Sequence, residues 1–213
     1  MTRRFVLALF ALLAWTLPAA SQSIPPNERP MYGGVKQDDQ KFIDSVIASG
    51  YTRKSGAQEA VARGFQSFEK RDYGPAMRRF NQAWVLDPEY AETYRGFALV
   101  LIARDRKPAE AEAMFKKGAG LPDASAGLLA DYGRFLVVTK RIPEAIPILE
   151  RGAAAEGDPA DQIKAQRLLA DAYYDEKQFD KACPLAKKII DKVEEGRAKE
   201  SMQFIVTSPR CEG

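Results

Sequence analysis

The chain predicts an all-α protein: a solenoid of about four stacked helical hairpins with a covering helix at each end. Three observations lead there. A small–bulky–small pattern of side chains recurs four times along the chain. Its spacing stays close to one value, and a proline or an Asp-Pro pair follows each of the first three occurrences.

The pattern begins with Ala76, Phe80 and Ala83 and returns as Ala111, Phe115 and Gly118, then as Ala145, Leu149 and Gly152. Ala182, Ala186 and Ile189 form a looser fourth copy, and the leading alanines are offset by 35, 34 and 37 residues. Residues three and four apart share one face of a helix, so each set makes one stripe. Two helices approach closely only where their side chains are small. The stripe is therefore core rather than a catalytic motif. Pro88, Pro122 and Pro159 mark the gaps between units, because proline neither donates a helical hydrogen bond nor tolerates helix at the residue before it. The helix ahead of each stripe carries its own small residue: Gly64, then Ala98 in "FALVL", Gly133 in "YGRFL" and Ala170 in "LADAY". Tyr73, Ile142 and Phe179 precede three of the second helices. Pro147 and Pro184 fall early in the last two of these, which are expected to begin near Pro143 and Asp180 with mild local distortion.

A period near 34 with these residues resembles the tetratricopeptide repeat, or TPR, over residues 57–190. The resemblance implies a superhelix whose first helices line a groove that holds peptides or extended protein segments. Carrying the groove-facing phase over residue by residue gives Val61, Phe65 and Phe68 from the first unit, then Arg95, Leu99 and Ile102 from the second. Arg134, Val137 and Val138 follow from the third, and Lys164, Arg167, Asp171 and Tyr174 from the fourth. The recurring arginines suit carboxylates, by the planar fork of the guanidinium, or else pair within the array. TPRs that clamp chaperone C-termini place polar residues where this chain has Val61 and Phe65, so that ligand is not expected.

The flanks read differently. Two arginines, an apolar run from Phe5 to Leu17 and the small residues Ala19, Ala20 and Ser21 have the layout of a secretory signal peptide, with cleavage after Ser21. Thirteen helical residues reach about 20 Å, short of a hydrocarbon core of about 30 Å. A periplasmic location with no stable membrane insertion after cleavage follows as the expectation. Residues 22–37, with three prolines and two glycines, read as an extended leader. Residues 38–56 read as a covering helix, and residues 191–213 as a second covering helix and tail.

Charge and composition narrow the chemistry. Lys and Arg number 32 against 29 Asp and Glu, and removal of Arg3 and Arg4 with the signal leaves a net charge of +1, no basis for nucleic-acid binding. The chain has no histidine, which excludes histidine-dependent triads and the commonest zinc sites. Two cysteines in an exported chain predict a Cys183–Cys211 disulfide, worth about 3–4 kcal/mol in the chain-entropy model. The carboxylates Asp72, Glu110, Asp171, Asp175 and Glu176 fall at turns or on helix faces, where solvation is the default. No catalytic residue, metal site or cofactor is expected. "MYGGV" lacks the context of a phosphate loop, and Trp84, Tyr94, Tyr173 and Tyr174 stand at helical spacing as core. The reading is a non-enzymatic adaptor with a protein or peptide partner. Its competitor is an accessory, ligand-binding or enzymatic component of an envelope pathway, and burial of Phe65 and Phe68 by a second copy is a third arrangement.

Overall fold

The computed structural model describes residues 24–32, 37–155 and 157–211. The signal-peptide reading of residues 1–21 lies outside them. All regular structure among the described residues is helical: α1 (Gln37–Ala48), α2 (Arg53–Glu69), α3 (Tyr73–Leu86), α4 (Ala91–Val100), α5 (Pro108–Ala119), α6 (Ala126–Val138), α7 (Ile142–Ala154), α8 (Pro159–Asp175), α9 (Phe179–Ile189) and α10 (Arg197–Val206). A π-helical turn, Leu101–Asp105, extends α4, and short 3₁₀ turns lie at Pro26–Glu28, Ile190–Lys192 and Pro209–Cys211.

Local chemistry starts each helix. Thr52 and Ser55 form a reciprocal capping box at α2, with both hydrogen bonds at 3.0 Å. Ser125 caps α6 and Asp158 caps α8 through their side-chain oxygens. Pro108 and Pro159 open α5 and α8, where a missing N–H costs nothing. Replacing Thr52 by Ala removes the box, and thermal unfolding should report a loss of about 1 kcal/mol.

Helices α2 and α3, α4 and α5, α6 and α7, and α8 and α9 pair as hairpins. Every hairpin turn holds one basic residue in the left-handed region: Arg71, Arg106, Lys140 and Lys177, with φ between 52° and 65°. The first helices α2, α4, α6 and α8 touch one another in succession, whereas the second helices make their main contacts with first helices. Two layers result. The inner layer is closed and the outer one has open seams.

The small–bulky–small stripes sit between the layers. Ala76, Phe80, Ala83, Ala111, Phe115, Ala145, Leu149, Ala182, Ala186 and Ile189 have no exposed surface. Phe80 fills the space beside Gly64 of its own unit and Gly96 of the next, and a Cβ at either glycine would strike its ring. Leu149 does the same beside Gly133. Helices α7 and α9 begin at Ile142 and Phe179, one residue ahead of the positions expected from sequence. Pro147 and Pro184 are exposed, so the carbonyl each leaves without a helical donor faces water.

Both ends are covered. Ile43 of α1 is buried against the first unit, and Val46 packs over Gly56. At the other end Met202 and Ile205 of α10 join a core with Ala186 and Ile189. The Cys183–Cys211 disulfide, with Cα atoms 5.4 Å apart, ties the tail to α9. None of the helices among the described residues is long and apolar enough to cross a membrane.

Candidate partner-binding face

The inner layer presents three kinds of surface, and the residues expected in a groove divide among them. At the N-terminal end Val61 is 4% exposed and belongs to the core. Phe65 is half-buried, with its ring edge-on to Phe80 at 5.2 Å and beneath the Arg95 guanidinium at 5.1 Å. Phe68 is half-buried against Tyr73. Leu99 and Val137 are half-buried, while Ile102 is 37% and Val138 70% exposed. Arg134 is exposed, one turn before Val138 on α6, with no ion-pair partner among the described residues. Phe135 adds a half-buried ring tilted against Phe115 at 5.8 Å.

The middle of the face is a charge ladder. Arg95 on α4 reaches Glu92 at 3.0 Å, Asp131 on α6 at 2.8 Å and Asp161 on α8 at 3.5 Å. Lys164 closes on the other oxygen of Asp131 at 2.6 Å, and Ser125 donates to Glu92. Desolvation works against charge on Arg95, but Glu92, Asp131 and Asp161 more than offset it and raise its pKa above the ordinary arginine range. Burial likewise works against the Asp131 carboxylate, and Arg95 with Lys164 holds it below the usual range. Gly127 keeps the ladder open, since a Cβ there would collide with Asp161 and Arg95.

The C-terminal third is covered by α10. Arg167 pairs with Asp171 at 2.9 Å, and Ser201 of α10 donates to the other Asp171 oxygen at 2.6 Å. Desolvation raises the Asp171 pKa against the lowering effect of Ser201 and Arg167. Tyr174 shares a hydrogen bond with Ser208 at 2.8 Å and stacks edge-on with Phe179 and Phe204. A cavity of about 560 Å³ remains between α8 and the start of α10, lined by Asp161, Lys164, Arg167, Val193 and Ala198.

The structure thus brings Phe65, Arg95, Asp131 and Lys164 together and separates them from Tyr174. Sequence reading missed the acids. Their signal was present: Asp131 follows Arg95 by 36 residues and precedes Lys164 by 33, so opposite charges recur at nearly one repeat length. The carboxylates weighed as catalytic lie apart. Asp72, Asp175 and Glu176 are exposed, Glu110 is exposed beside Lys107, and Asp171 is held by Arg167 and Ser201.

No known family description matches the sequence, and no curated protein matches it either. Solved structures similar in fold include the following two. The structure reported for the functional characterization of Pseudomonas aeruginosa PilF has a TM-score of 0.60 and 19% identity, covering 72% of this chain and 67% of that one. The structure of PilW, described as a widely conserved type IV pilus biogenesis factor, has a TM-score of 0.51 and 17% identity over 84% of this chain and 98% of that one. At such identity the likeness speaks for architecture, and with the four stacked hairpins it makes this chain a TPR-like all-helical array.

Proposed function

We propose that the protein is an exported, non-enzymatic adaptor that holds a segment of a partner protein on its inner face. The carrying observation is the contrast along that face. Its charged centre and C-terminal third are satisfied within the chain, whereas Ile102, Val138 and Arg134 on the first-helix layer remain exposed and Phe65, Phe68 and Leu99 are only half-buried. Accessible apolar side chains and a guanidinium without an ion-pair partner among the described residues suit a segment with apolar anchors and a carboxylate. A preformed rigid face leaves the ordering cost to the partner. The sequence pattern of residues 1–21 supports the periplasm as the location. Pilus assembly is the setting favoured by the fold's likeness to PilW.

The test uses mature protein as bait in periplasmic extract beside a variant carrying Ile102→Asp, Val138→Asp and Arg134→Glu. All three positions are exposed, so the melting temperature should stay within a few degrees of wild type. Partner recovery should fall at least tenfold. Equal recovery of the same proteins by both baits would overturn the assignment.

A further inference from the structure

A second peptide site lies on the opposite layer, where the seam between α3 and α5 already holds a turn-forming segment of this chain. Asn81 of α3 is 1% exposed and spends its whole amide on the leader. Its Nδ2 donates to the carbonyls of Asn27 at 2.9 Å and Arg29 at 2.8 Å, and its Oδ1 accepts from the Met31 N–H at 2.9 Å. These three bonds read backbone alone, so they tolerate any side chain at positions 27 and 29 and any but proline at 31.

One side chain is read as well. The Glu28 carboxylate pairs with Arg78 and, at 3.5 Å, with Arg104, while Arg104 also donates to the Glu28 carbonyl at 2.7 Å. Arg104 is itself aimed by Asp105, through bonds of 2.5 and 3.0 Å, within the π-helical turn. The carboxylate also lies against Gly74 in the first turn of α3, where a Cβ would meet its oxygens at 2.8 and 2.9 Å. A helix N-terminus favours that negative charge, and the absent side chain admits it. The leader does not fill the seam. A cavity of about 620 Å³ stays open between Pro30 and Met31 on one side and Leu101, Ala113 and Met114 on the other, with Lys107 and Glu110 at its polar edge.

We infer that this seam is a recognition site for a glutamate-bearing peptide segment of a partner protein held in a tight 3₁₀ turn, with residues 27–31 as its resident occupant in cis. Asparagine sets the register of the backbone, and the two arginines with the α3 N-terminus select the acid. A partner segment binds by displacing the leader, and a larger apolar side chain two or three residues after the glutamate enters the open cavity.

The experiment titrates a fluorescein-labelled peptide of residues 24–32 into mature full-length protein and follows anisotropy. Wild type, with its own leader in place, should bind weakly. A Glu28→Ala variant, whose resident occupant has lost its anchor, should bind at least tenfold more tightly. In that background a peptide carrying Gln in place of Glu28 should bind at least tenfold more weakly, and Arg104→Gln or Gly74→Ala in the protein should have the same effect. Two results would overturn the inference. One is a Glu28→Ala protein of wild-type helix content that takes up no peptide, or takes up the Glu and Gln forms alike. The other is a Glu28→Ala protein that dimerises by light scattering without peptide uptake, which would make a second copy the occupant.

Discussion

Replacing Phe80 by Ala should cost about 3–5 kcal/mol, a large share of the roughly 5–15 kcal/mol that keeps a domain folded. The ring is fully buried, edge-on to Phe65 and Phe97, and it occupies the gap that Gly64 and Gly96 leave between two consecutive first helices. Its removal opens a cavity at the junction of units one and two, where backbone cannot collapse without moving both helices. Urea denaturation should show a lower midpoint at an unchanged slope. Gly96→Ala probes the same contact from the other side and should cost about 1–3 kcal/mol, because the new methyl collides with a rigid ring. In a Phe80→Leu background that cost should shrink, since the two positions touch and their effects are coupled. A loss below about 1 kcal/mol for Phe80→Ala would mean that the hairpins are not joined at this ring.

Arg95→Met should destabilise the protein by about 3–4 kcal/mol at pH 7, because truncating one member of a buried charge cluster strands the others. Asp131 would keep only Lys164, and Glu92 and Asp161 would face each other with no cation between them. The pH dependence identifies the cause. In the wild type the folded Asp131 pKa lies below its unfolded value of about 3.9. Its contribution is therefore complete above that pH and is lost as the pH falls through the folded pKa. Without Arg95 only Lys164 opposes burial, so the folded pKa should rise from its wild-type position, and the folded variant should bind more protons on acidification than the folded wild type does. The deficit relative to wild type should narrow between pH 7 and pH 4.5, measured by urea unfolding at each pH. A deficit constant over that range would assign the loss to packing of the side chain over Phe65.

The sequence resolves repeat and core because both depend on local chemistry. Ala76, Phe80 and Ala83 share a face whatever lies around them, and a stripe of that shape is useful only between closely spaced helices. The gaps between hairpins follow equally well from Pro88, Pro122 and Pro159, and Cys183 has only Cys211 to pair with.

The face was harder. Val61, Phe65 and Phe68 recur at similar phases, yet one is core and two are partly exposed, because exposure depends on what other helices lay over each position rather than on phase. Arg95, Arg134 and Arg167 look equivalent in sequence. One is locked among three carboxylates, one is exposed, and one is paired beneath α10. The leader, with its prolines and no helical period, read as a linker, and its seat on Asn81 is a contact between residues 50 or more apart.

What the amino-acid order by itself determined was the helical-hairpin array, its period and its small-residue seams, since helix face and helix approach are set within a few residues. Only the tertiary structure decided which charges are spent inside the array, that α10 closes one end of the inner face, and that residues 27–31 sit in the outer seam. Each of these rests on groups brought together from distant units, and pairing at that range depends on how the units stack rather than on any local pattern.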